Sequence, residues 1–245
     1  MPHAAPARGV RRGARVSVVP DGLLPPPGFR QRGHAPRGTR LVLIRHGECV
    51  ANAEGRAGGP RGDGGLTERG RAQAAALAAR LARTRELDGA RALYTSTLPR
   101  AIETGRAVAP AIAPGLVARA RADLEELRVG EADGLRWAEV IERYEPVDWD
   151  QDPTRPNVPG GESLVGFFER CRSALADLVA AHPGELVVVV THGGVIEQAM
   201  KLYQGLDAAT RLAPLIEHCS MTEIEFDAGR ARLLRYNDRS PLDAP

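Results

Sequence analysis

The sequence predicts a layered α/β fold, three layers α/β/α around a mostly parallel central sheet. Two short apolar runs, Leu41-Val42-Leu43-Ile44 and Leu186 to Val190, have the length and composition of buried strands, and each leads into a histidine followed by a glycine. Between them lie longer stretches whose apolar residues recur at helical spacing. Strand-length runs alternating with amphipathic helices are the pattern of a parallel sheet covered on both faces.

The elements follow in order. The first strand stops at Arg45-His46-Gly47, and a glycine-rich loop runs from there to Leu66. Thr67 is suited to cap a helix over Glu68 to about Arg83, whose alanines and leucines give one apolar side. Arg91 to Thr95 reads as the second strand, and Ser96 or Thr97 followed by Pro99 as a helix start that puts Arg100 in the first turn. A strand is expected around Leu116 to Ala120. From Leu124 to Gly161 the chain reads as an irregular wall or lid with a short helix near Trp137 to Tyr144, broken by Pro146, Pro153, Pro156 and Pro159. A helix from Ser163 carries Leu164, Phe167, Phe168, Cys171, Leu175 and Leu178 on one stripe and ends near His182-Pro183-Gly184. After the strand Leu186 to Val190, Thr191-His192-Gly193-Gly194 leads into a helix from about Val195 to Tyr203. Ser220 to Phe226 and Arg232 to Tyr236 alternate about a turn at Asp227 to Gly229, as in a hairpin.

Composition narrows the possible functions. Residues 1–38 are rich in Arg, Pro and Gly without a hydrophobic period and are expected to form a disordered or loosely attached arm; residues 39–245 form one domain. Residues 1–40 hold eight arginines and one acid, so most of the chain is mildly acidic despite a net charge of +2. That is a poor surface for long nucleic acid. No apolar run approaches the roughly 18 residues of a membrane span. Three scattered cysteines show neither zinc-site nor disulfide spacing and suit a reducing, cytoplasmic setting. Lys201 is the only lysine, so abundant arginine reflects composition, and surface roles are the default for Arg128, Arg136, Arg143 and Arg155.

The chemistry concentrates at the two strand ends. In open parallel sheets ligands bind outside the carboxyl ends of the strands, so neighbouring strands would bring His46 and His192 together. Gly193-Gly194 at a helix start offers free backbone amides to an anion, and phosphate suits this geometry. His182 is expected to stabilise a helix end, and His218 to be structural.

These residues carry a family resemblance. Arg45-His46-Gly47-Glu48, Asn52, Gly55-Arg56, Asp63, Leu66-Thr67, Gly70 and Gln73 resemble the N-terminal signature of the histidine phosphatase superfamily, the phosphoglycerate-mutase-like proteins. Ser96 to Ala101 with Thr104, Leu124-Glu125-Glu126 through Gly130, Gly160 to Ser163, and Thr191 to Gly194 resemble its later motifs in the same order. Cys49 departs from the usual Thr or Ser. The resemblance implies a phosphoglycerate-mutase-like fold and a metal-independent, cofactor-free phosphomonoesterase acting on small phosphorylated metabolites. His46 would be the nucleophile that forms a phosphohistidine, with His192 beside it. Arg45, Asn52, Arg100 and Gly193 would bind phosphate, and Glu126, or its neighbour Glu125, would be the general acid. A mutase-type phosphotransferase and a binding or regulatory protein with a retired site are the alternatives. The 65 residues between Glu126 and His192 lack the block that holds phosphoglycerate in the mutases, which favours water as acceptor.

Overall fold

The computed structural model describes residues 38–227 and 229–239. The expected arm, except Gly38, and the last six residues lie outside them. Six strands form one sheet: β1 (Thr39–Arg45), β2 (Ala92–Ser96), β3 (Ala118–Arg121), β4 (Leu186–Thr191), β5 (Met221–Asp227) and β6 (Arg230–Asp238), in the order β3-β2-β4-β1-β5-β6. The first four in that order are parallel, and β5 and β6 add an antiparallel edge. The helices are α1 (Val50–Ala53), α2 (Glu68–Thr84), α3 (Pro99–Ile112), α4 (Trp137–Arg143), α5 (Leu164–Ala181) and α6 (Gly193–Gln204).

Alternation along the strands explains the three layers. Val42, Ile44, Val188 and Val190 point to one face and pack with Leu77 and Leu81 of α2 and Val108 and Ile112 of α3. Leu41, Leu43, Val187 and Val189 point to the other, against Leu175 and Leu178 of α5 and Ile196 and Met200 of α6. Burial on both faces is why these strands read as continuous apolar runs. Thr67 caps α2 through its hydroxyl, which accepts from the Gly70 amide at 2.9 Å, and Ser163 caps α5 in the same way at 3.0 Å. No helix of the described residues is long and apolar enough to cross a membrane.

Some elements differ from the sequence reading. The glycine-rich loop after His46 contains the short helix α1. Helix α3 starts later than Ser96 or Thr97 would place it: its N-cap is Leu98, while the Ser96 hydroxyl accepts from the Leu98 amide and Thr97 turns toward Glu125. Helix α6 starts earlier, with His192 as its N-cap, so both glycines after the histidine belong to its first turn.

The loop that follows His46 and helix α2 touch at glycine on both sides. A Cβ on Gly70 would land inside the carbonyl oxygen of Glu48, and one on Gly47 would collide with the carbonyl of Gly70. Gly70→Ala, which in an open helix would gain about 0.5–1 kcal/mol, is therefore expected to destabilise by about 1–3 kcal/mol. Thermal unfolding should show a Tm lower by about 2–4 °C for each kcal/mol; an unchanged or raised Tm would show that the loop yields.

Candidate active site

Register brings the two histidines together. In the β1–β4 pair Arg45 faces Thr191, and the His46 amide donates to the Thr191 carbonyl at 3.0 Å, so the next residues leave the sheet side by side. The imidazole centroids are 5.1 Å apart and both residues are buried. His46 lines a cleft of about 450 Å³ together with Arg45, Asn52, Arg100, Glu126 and Gly193, whereas His192 lies fully buried just behind it.

Arg100, in the first turn of α3, lies between the imidazoles. Its Nε–H is shared between His46 Nε2 at 3.1 Å and His192 Nδ1 at 3.2 Å. His46 Nδ1 lies 2.6 Å from the Gly47 carbonyl and must donate to it. These bonds assign His46 as the Nδ1–H tautomer, with the Nε2 lone pair facing the guanidinium, and His192 as the Nε2–H tautomer. Burial first, and then the charge of Arg100, holds both imidazoles well below the usual histidine range. Both are therefore neutral at neutral pH.

The residue that holds Arg100 has no role in the sequence reading. Asp63 pairs with the Arg100 guanidinium and also accepts from the Arg100 backbone amide at 3.0 Å; the two side chains are 5% and 1% exposed. Gly58 supplies a further carbonyl to the same guanidinium at 2.9 Å. Arg45 reaches the Ile216 carbonyl at 2.5 Å, and its buried Nε has no partner among the described residues.

Asn52 stands on α1, and its side-chain oxygen accepts from Cys49 Sγ at 3.0 Å and lies 3.2 Å from His218 Nε2. With that oxygen engaged, its NH₂ is the group left to meet an anion. His218, expected to be structural, is 5.7 Å from the His46 ring. Burial and the nearby Arg45 push its pKa down to about 4.

Glu126, not Glu125, lies on the cleft. Its carboxylate accepts from the Gly194 amide in the first turn of α6 at 3.0 Å and from its own neighbour, Leu127, at 3.0 Å. The expected free amides at the start of α6 are thus partly taken by Glu126. Glu125 turns away to Thr97 and Arg128. Arg170 of α5 fastens this acidic segment, donating to the carbonyls of Asp123, Glu125 and Glu126 while paired twice with Glu162. Arg128, Arg136, Arg143 and Arg155 are absent from the lining, whereas Arg56 and Arg211, which the sequence did not single out as wall contacts, are present. Among the described residues no group of three or more His, Cys, Asp or Glu is arranged to hold a metal ion.

Residues 41–239 match the model of the histidine phosphatase superfamily, branch 1. The chain belongs to that superfamily. It is 34% identical over 209 residues to phosphoglycerate mutase-like protein 4 of Arabidopsis thaliana, covering 83% of this chain and 86% of that protein. It is 38% identical over 163 residues to a metal-independent phosphoserine phosphatase of the same plant, covering 64% and 66%. Among solved structures, the mycobacterial glucosyl-3-phosphoglycerate phosphatase matches with a TM-score of 0.68 and 30% identity over 82% of this chain and 99% of that one. The fold is therefore that of the histidine phosphatases.

For this superfamily member the two neutral, buried histidines tie stability to pH. An unfolded histidine binds a proton near pH 6.5, where the folded one does not, so the unfolded state takes up more protons as pH falls and stability is lost. Each histidine should cost about 1.4 kcal/mol per pH unit below about 6.5. Urea unfolding at pH 7, 6 and 5 should show this slope, made shallower in His192→Gln; an equal slope in the variant would trace the acid sensitivity to other groups.

Proposed function

We propose that the chain hydrolyses small phosphomonoesters without a metal, through a phosphohistidine on His46. One observation carries the reading: the Nε2 lone pair of a neutral imidazole faces a buried guanidinium at the cleft, with the ring locked at Nδ1. In the first step Nε2 forms a bond to phosphorus as the ester P–O bond breaks, and Glu126 gives its proton to the leaving alkoxide. Arg100 passes its donors from the imidazoles to the phosphoryl oxygens, joined by Arg45, the Asn52 NH₂ and the amide of Gly193. A phosphoryl dianion beside His192 raises that ring's affinity for a proton and makes it a charged donor. In the second step water attacks phosphorus, the N–P bond breaks, Glu126 takes the proton from water, and phosphate leaves.

The guanidinium groups supply the positive charge that phosphoryl transfer requires. The named activities of the relatives, on phosphoserine and on glucosyl-3-phosphoglycerate, support water as acceptor and a small metabolite as substrate. Burial of all three cysteines as free thiols suits a cytoplasmic setting.

His46→Ala should abolish turnover of p-nitrophenyl phosphate and remove the acid-labile, base-stable label left by a substrate pulse. Label persisting on another residue would end the nucleophile assignment. Glu126→Gln should slow an alkyl phosphate by about 10²–10⁴ and p-nitrophenyl phosphate far less, because an alkoxide needs its proton and nitrophenolate does not. Equal slowing of both substrates would remove Glu126 from the general-acid role.

A further inference from the structure

The cleft extends well beyond what a phosphoryl group fills. Its volume of about 450 Å³ is that of a site for a whole small molecule. Both tryptophans of the chain, Trp137 at the start of α4 and Trp149 in the loop beyond it, line this outer part. Trp149 is tied back to the wall by its indole N–H, which donates to the Arg155 carbonyl at 2.9 Å. Its ring is thereby held in place.

Every cation on this outer wall already has a carboxylate. Arg56 pairs with Glu54 at 2.6 Å, Lys201 with Glu197 at 3.5 Å and Arg211 with Asp150 at 2.6 Å. Lys201, a fully buried ammonium, also donates to the Ala208 carbonyl at 3.2 Å. A substrate carboxylate or ammonium would meet groups whose charge is already balanced, and would have to compete with the carboxylate or cation in place. One polar group is left over. Gln198, on the cleft-facing side of α6, donates from Nε2 to the Gly194 carbonyl at 3.3 Å, and its buried side-chain oxygen has no partner among the described residues. Such an acceptor is costly until something donates to it.

We infer that the outer cleft is a subsite for a neutral, hydroxyl-rich leaving group such as a sugar ring, lying against Trp137 and Trp149 with a hydroxyl donating to Gln198. A sugar ring offers an apolar C–H face to an indole and hydroxyl donors around its rim, which is what this wall can satisfy without disturbing its ion pairs. The inference deepens the phosphatase reading and rests on it.

The test compares kcat/KM of the full chain for glucose 6-phosphate and ribose 5-phosphate with that for O-phosphoserine and 3-phosphoglycerate, using p-nitrophenyl phosphate as reference. The better sugar phosphate should exceed both charged substrates by at least tenfold. In Trp149→Ala and in Gln198→Leu the ratio of that sugar phosphate to p-nitrophenyl phosphate should fall at least tenfold. A preference for phosphoserine or phosphoglycerate, or ratios unchanged in both variants, would overturn the subsite while leaving the phosphatase reading intact. Failure of the unaltered chain to turn over p-nitrophenyl phosphate would overturn that reading and the subsite with it.

Discussion

The buried pair of Arg100 and Asp63 is the constraint on which the site depends. A guanidinium withdrawn from water needs a counter-charge and acceptors; Asp63 provides the charge, and with the Gly58 carbonyl it engages Nη1. Burial first keeps both histidines neutral; Arg100, fixed there, adds to it, because its charge disfavours the imidazolium and its Nε–H faces the nitrogen that carries the lone pair. The loop that delivers Asp63 must then close over α3, which brings α1 and Asn52 to the rim of the same cleft. His46, Arg100 and Asn52 thus belong to one connected arrangement.

Much of this was legible in the sequence because it is written in local pattern. The runs Leu41 to Ile44 and Leu186 to Val190 announce strands buried on both faces, and the structure pairs them directly. Their neighbourhood follows from the shared strand-end motif, so the meeting of His46 and His192 could be anticipated. The hairpin of β5 and β6 was visible in its alternation. Boundaries were harder. Helix α3 begins one to two residues past the Ser96-Thr97 signal because both hydroxyls have other partners, and α1 is too short for a periodic signal.

What could not be read depends on contacts between distant positions. Asp63 matched the family signature, yet nothing local says that it grips a guanidinium 37 residues on. Arg170 lies on the polar side of an ordinary amphipathic helix, and only the folded chain shows it gathering three carbonyls 44 to 47 residues upstream. Glu125 and Glu126 are chemically alike neighbours, and only the resemblance favoured Glu126; the fold turns Glu126 to the cleft and Glu125 to Thr97 and Arg128. His218 follows an irregular stretch with no period to aim it, and its place near His46 comes from the closure of β5 against β1.

Glu126 and His192 are both anchored to the opening turn of α6, one through the Gly194 amide and the other as the N-cap. The spacing between Glu126 and His192 is thus set by a single helix end. Insertions, deletions and drift in the outer cleft can therefore accumulate without altering the reactive geometry. Such a division makes the scaffold evolvable: new leaving groups can be explored by changing the wall alone, and divergence in substrate among descendants need leave no trace in the inner motifs.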